Sequence, residues 1–219
     1  MKISVSAEVF RRFNPDFRLA LLLVAGIDNQ AKLADSLQVL HDAEQVIRLT
    51  HNKDLPRTRH LLSSENILRH EKGKHHHTAV EKLCKKVLVH QRIDARDVLT
   101  NLVQAISLER SIPIGVDDVA LLRGNITFAL SKGGKVKKGE LYYRDAAAVL
   151  GTKLDYWKNV KTAPAAKTAS ALIHIEAVPP ITKEELREVL AEIETLVRGF
   201  CGGKVKKVIL EGKKASAIL

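Results

Sequence analysis

This 219-residue sequence predicts an α+β fold on three observations. Residues 17–25 (FRLALLLVA) form a near-continuous apolar run, as expected of a strand covered on both faces. Amphipathic helical spacing recurs in blocks before residue 110 and again after residue 182. Between Ile112 and Ile175 the texture changes to short strand-like runs separated by Gly, Lys and Pro.

The elements follow in order. Lys2 to Ala7 alternates as a strand does, and Gly26-Ile27-Asp28-Asn29 ends the second strand. Leu33, Leu37, Leu40, Ile47 and Leu49 recur roughly at helical spacing through Thr50, and Pro56 marks the loop beyond. Ser63 and Ser64 before ENILRH read as a helix start. Ala79 to His90 is a further amphipathic helix, and Asp94 to Glu109 another. The runs NITFALS, GELYY and ALIHIEAV read as strands, closed by Pro179-Pro180. Thr182 and Glu185 form a capping box, because each side chain can satisfy the other's free backbone N–H. The helix they open buries Leu186, Val189, Leu190, Ile193, Leu196, Val197 and Phe200 on one face. Gly202-Gly203 stops it, and Val205 to Leu210 returns as a strand. With no repeat and no evident linker, one α+β domain over 1–219 is the economical expectation.

Composition narrows the partners. Thirty-six Lys plus Arg against 25 Asp plus Glu give a formal charge of +11 and a pI near 9.7, which favours a polyanion. The excess clusters in Ser131 to Glu140, with Lys132, Lys135, Lys137 and Lys138, and in Gly202 to Lys214, with Lys204, Lys206 and Lys207. Lysines on such loops suit contacts with phosphates, which add affinity without reading sequence. No apolar run reaches the ~20 residues of a spanning helix, and no secretory leader is apparent, so a cytoplasmic protein away from membranes is expected. Cys84 and Cys201 lie far apart without CxxC spacing, which points to buried thiols.

GxGxxG, GxxxxGK[ST], GxSxG and HExxH are all absent from the sequence. His75-His76-His77 is a weak metal candidate, because successive helical residues point about 100° apart; a solvated or phosphate-facing cluster fits better, and neither a metal nor a cofactor is expected. Asp117-Asp118 suggests an acid/base pair, but adjacent extended side chains point to opposite faces, and Asp118 reads better as a cap or turn-former. His174 and Glu176 share one face of a strand between apolar neighbours, facing either solvent or a pocket.

The order LTNLVQAISLERSIPIGVDD, GELYYRD, LDYWK, TASALIHIEAV resembles the B3/B4 domain of the bacterial-type phenylalanyl-tRNA synthetase β subunit, and more closely its free-standing single-domain relatives. The resemblance is strongest over 99–178, and the helix and strand of 182–210 belong to the same unit. Leu99, Ser107, Leu108, Pro113, Gly115 and Asp118 keep the first motif without a gap. Asn101 stands where those relatives carry Asp, and Gln104 where they carry Asn. Gly115 stands where the synthetase domain carries His. Tyr143-Arg144-Asp145 matches an aromatic-x-Asp turn, and Trp157-Lys158 a Trp-Arg pair whose preceding Trp is here Asp155. Glu176 matches a pocket glutamate.

What the resemblance implies is a sandwich-like α+β domain with a central pocket that receives the aminoacylated 3′ end of tRNA and hydrolyses a wrongly formed ester. Such a second sieve is needed because size and apolar contact discriminate near-isosteres poorly. Carried over, Glu176 reads the distinguishing polar group, while Asn101 and Gln104 orient the ester or ribose. Gly115 admits close backbone approach, and His174 and Trp157 line the same pocket. The expectation is a tRNA-binding protein that edits misacylated tRNA in trans, alone or docked on a synthetase. The alternatives are a non-catalytic RNA-binding or interaction module and a binder of an amino-acid-like small molecule.

Overall fold

The computed structural model describes residues 1–51, 78–152 and 157–219. Alternation in the first residues yields β1 (Lys2–Val5), followed by a single π-helical turn at Val9–Phe13. The apolar run becomes β2 (Arg18–Ala25), and both of its faces are enclosed. Leu19 and Leu21 pack on one side, and Ala20, Leu22 and Val24 on the other. A one-sided strand does not need that composition.

Three helices follow among the described residues before the chain turns to strands: α1 (Leu33–His51), α2 (Ala79–Leu88) and α3 (Val98–Arg110). Thr78 and Glu81 make a reciprocal capping box on α2. Asp97 caps α3, accepting from the Thr100 N–H at 2.9 Å. The expected helix start at Ser63-Ser64 lies outside the described residues, as do His75, His76 and His77.

The β-rich half supplies β3 (Gly115–Asp118), β4 (Ile126–Leu130), β5 (Leu141–Arg144), β6 (Val149–Thr152), β7 (Trp157–Lys158) and β8 (Ser170–Ala177). Thr182 and Glu185 then open α4 (Lys183–Phe200) with the expected capping box. Two further strands close the chain, β9 (Lys204–Leu210) and β10 (Ser216–Ile218).

These strands form two sheets. One has the order β10-β1-β4-β5-β6-β7, and the other β3-β8-β2-β9. In the first, β1 and β4 run parallel while the other pairs are antiparallel; in the second, every pair is antiparallel. Ile3, Phe128, Tyr143 and Leu150 of the six-stranded sheet meet Leu19, Leu21, Leu172 and Leu210 of the four-stranded sheet. The opposite face of the four-stranded sheet buries α3 and α4 through Leu99, Leu102, Ile106, Val189, Leu190 and Ile193. A smaller cluster joins α1, α2 and α3 through Leu40, Ile47, Cys84, Val87 and Leu108. The fold is therefore mixed α+β, with two sheets and flanking helices.

The expected strand at Val205 to Leu210 forms as β9, an edge strand paired with β2 over seven positions, so Lys204, Lys206 and Lys207 stand on a strand and not on a basic loop. Its alternation explains why: Val205 and Ile209 pack toward α4, so the lysines between them are strand residues rather than loop residues.

Candidate functional site

The site is built on the antiparallel pair β3–β8, where Gly115 lies opposite His174 and Asp117 opposite Leu172. Directly opposed residues share a face. Val116 and Ile173 therefore pack toward the helices, while Asp117 and His174 enter the space between the sheets. The open question about His174 and Glu176 is settled toward the interior: they are 0% and 4% exposed.

Asp117 is the centre of this cluster and is fully buried. The Thr162 hydroxyl donates to its Oδ1 at 2.6 Å, and the Tyr143 hydroxyl to its Oδ2 at 3.2 Å. His174 Nε2 is 3.5 Å from Oδ2, and Lys158 Nζ is 3.6 Å from Oδ1. Lys158 also donates to the Val116 carbonyl, so its ammonium is anchored to the same strand as the carboxylate. Its stem reaches in from the surface with a quarter of the side chain exposed.

A carboxylate out of water favours its neutral form, so burial raises the Asp117 pKa. The Lys158 ammonium and the contacts from His174 and Thr162 act the other way and win, holding the carboxyl below the ordinary aspartate range. The cluster thus keeps a negative charge between two sheets.

His174 is held edge-on to two aromatic rings, with centroids 4.7 Å from Tyr143 and 5.8 Å from Phe128. Its Nε2 lies 3.1 Å from the Tyr143 oxygen. Because Tyr143 spends its proton on Asp117, its oxygen is the acceptor for an Nε2–H. The Nδ1 of His174 is buried and has no hydrogen-bond partner among the described residues.

The first of the paired aspartates thus enters the cluster and the second does not. Asp118 caps the short 3-10 turn at Val119–Leu121 through the Ala120 N–H at 2.9 Å, and its other oxygen accepts from Thr168 at 2.6 Å. Asp145 is equally structural. Burial raises its pKa, but the backbone N–H groups of Ala148, Arg123 and Ala147 bring it below the usual value, holding the turn after β5 together.

Gly115, His174 and Glu176 are therefore brought together on β3 and β8. Asn101 is not. It lies on the α1 side of α3, fully buried, donating to the Ser36 hydroxyl at 3.1 Å and accepting from the Arg96 N–H at 3.3 Å. Gln104, on the same helix, is half-buried, and its Oε1 is enclosed without a hydrogen-bond partner among the described residues. Trp157 pairs through its backbone with Thr152. Lys132, Lys135, Lys137 and Lys138 are exposed between β4 and β5, and Lys204 and Lys206 are exposed on β9. Lys207 is ion-paired to Glu194 of α4.

Sequence reasoning passed over Tyr143, Lys158 and Thr162 as members of one cluster. Tyr143 and Lys158 were visible only as parts of the matched motifs, and Thr162 had no signal. Among the described residues, no group of three or more His, Cys, Asp or Glu is placed to hold a metal ion.

No family model matches this sequence, and no curated protein matches it. Among solved structures, an N-terminal fragment of the phenylalanyl-tRNA synthetase β subunit from Pyrococcus horikoshii is similar at a TM-score of 0.48 and 12% identity. The match covers 94% of this chain and 53% of that one, so the chain spans about half the length of the fragment it resembles. The likeness is one of fold, not of sequence family.

Proposed function

We propose that this protein binds tRNA and hydrolyses the ester of misacylated tRNA at the β3–β8 face. The observation that carries the reading is that Gly115, His174 and Glu176 share one face of adjacent strands with the Asp117–Lys158 pair. The resemblance of residues 99–178 to the B3/B4 domain supports it, as does the formal charge of +11. An aminoacyl ester is already activated, so no side-chain nucleophile is needed; a positioned water and stabilisation of the developing oxyanion suffice. Glu176 accepts from a polar group on the wrong amino acid, as a buried acceptor does. Gly115 has no Cβ to hold the acyl group away from the backbone.

The test is deacylation of a panel of mischarged tRNAs by the purified protein. One or more is expected to be cleared, with the rate falling by about 10- to 100-fold in Glu176→Ala, the loss of one polar contact of about 1.5–3 kcal/mol. If every tRNA of the panel stays intact, the hydrolytic reading fails.

A second reading is favoured by one observation, the near-complete burial of His174 and Glu176. On this reading the protein binds tRNA without turnover, and the inter-sheet cluster serves only the fold. It predicts salt-sensitive tRNA binding in the same preparation that leaves every ester intact.

A further inference from the structure

The outer face of the six-stranded sheet plays no part in the inter-sheet site. Alternation turns Phe128 and Tyr143 inward, which turns Thr127, Ala129, Tyr142 and Arg144 outward. Tyr142 is half-buried on this face and Arg144 is exposed. Three adjoining grooves of about 440, 700 and 440 Å³ run across it, sharing Lys132, Lys135 and Arg144 between neighbours.

The loop joining β4 to β5 forms one wall, and it is built rather than slack. The Ser131 hydroxyl donates to the Val136 carbonyl at 2.8 Å and accepts from the Gly133 N–H at 3.0 Å. Gly139 N–H donates to the Ser131 carbonyl and Ser131 N–H to the Glu140 carbonyl, both at 2.8 Å. Gly133 and Gly134 supply φ of +114° and +103°, which residues with a Cβ rarely adopt. The loop backbone is thus held in place before binding, with Lys132 and Lys135 exposed on it and lining the grooves.

Charge selects the occupant. The grooves are lined by the cations Arg12, Lys132, Lys135, Lys138 and Arg144, against the carboxylates Glu8 and Glu140. None of the large exposed hydrophobic side chains among the described residues lines them, so the face lacks the apolar wedge that seats a protein on a lipid surface. It has instead one flat aromatic ring among cations, the combination that holds single-stranded nucleic acid by stacking and phosphate contact. The lysines of β9 belong elsewhere. They sit on the edge of the other sheet, and Lys207 is held by Glu194.

We propose that the outer face of the six-stranded sheet is the RNA-binding face, with a single-stranded segment of tRNA lying across it. Phosphates meet Lys132, Lys135 and Arg144, and one base stacks on Tyr142. This inference rests on the tRNA reading above and assigns that function to one of the two lysine clusters.

The experiment is fluorescence anisotropy of labelled tRNA with the full chain at several salt concentrations, for wild type and three variant sets whose folding is checked by circular dichroism. The double variant Lys135→Gln/Arg144→Gln is expected to bind at least about tenfold more weakly and to lower the slope of log affinity against log salt by about 1.5. Tyr142→Ala is expected to weaken binding by about tenfold and Tyr142→Phe to restore it, because stacking needs the ring and not the hydroxyl. Lys204→Gln/Lys206→Gln is expected to bind as wild type does. If wild type binds tRNA while the Lys135/Arg144 and Tyr142 variants match it, this face is not the site and the tRNA reading stands. If wild type binds no tRNA, or binds only anionic phosphatidylserine vesicles, both fail.

Discussion

Asp117 carries the strongest single-residue consequence of the structure. It is a charge enclosed between two sheets, and among the described residues its cost of burial is offset by the groups aimed at it: Thr162, Tyr143, His174 and Lys158. Asp117→Asn removes the charge but leaves Lys158 without a counter-ion, and breaking such a pair costs about 3 kcal/mol or more. The denaturant midpoint at neutral pH is expected to fall accordingly. The direction of the pH effect follows from the lowered pKa. A carboxyl whose folded pKa lies below its unfolded value of about 3.9 contributes stability that is fully present above that value. That contribution is lost as pH falls through the folded pKa. The gap between wild type and Asp117→Asn should therefore close below about pH 4; a gap that stays constant into acid would show that Asp117 is not held ionised. Of this cluster the sequence exposed the paired aspartates, the His174-x-Glu176 alternation and, as parts of the matched motifs alone, Tyr143 and Lys158. Which aspartate turned inward depended on the register of β3 against β8, because a shift of one residue exchanges the two faces.

At the scale of elements, local signals read well where the physics is local. The capping box at Thr182, the apolar face of α4 and the two-faced run of β2 depend on spacing alone, and the structure has all three. β9 also reads as a strand over Val205 to Leu210; what spacing does not give is its partner, because the pairing with β2 is a tertiary contact. The turn into β9 gives a sharp prediction. Gly202 and Gly203 both have positive φ, +72° and +91°, but a Cβ at Gly202 meets nothing within 4 Å. At Gly203 it would stand 2.8 Å from the Ala25 carbonyl oxygen and 2.8 Å from Ile27 Cγ2. Gly202→Ala is expected to cost about 1 kcal/mol from the left-handed backbone alone, and Gly203→Ala about 3 kcal/mol from strain plus overlap with backbone. Urea unfolding of the two variants measures the difference. Equal costs would mean that the turn relaxes freely.

For the whole molecule, two interior layers divide the labour. The layer between the four-stranded sheet and the helices is built on an apolar cluster, and the layer between the sheets joins its own apolar cluster to the buried Asp117, His174 and Glu176. The excess positive charge stays outside, on the β4–β5 loop and on β9. A ligand that binds only the folded state stabilises it by mass action. At tRNA concentrations about 100-fold above Kd, the thermal midpoint is expected to rise by several degrees, equivalent to about 2.7 kcal/mol, and the rise should vanish at high salt. A rise that survives high salt would point to the inter-sheet site rather than to phosphate contacts. The sequence by itself determined the α+β class, the caps, the doubly buried strand and the basic character, because each depends on neighbours within a turn or on composition. Only the tertiary structure decided that Asn101 binds α1 while Gly115, His174 and Glu176 share one face of β3 and β8. It also placed Tyr143, Thr162 and Lys158 around Asp117 and left Tyr142 and Arg144 on an open face. Those placements depend on strand register, sheet order and helix packing, which join residues 26 to 65 positions apart and leave no local trace.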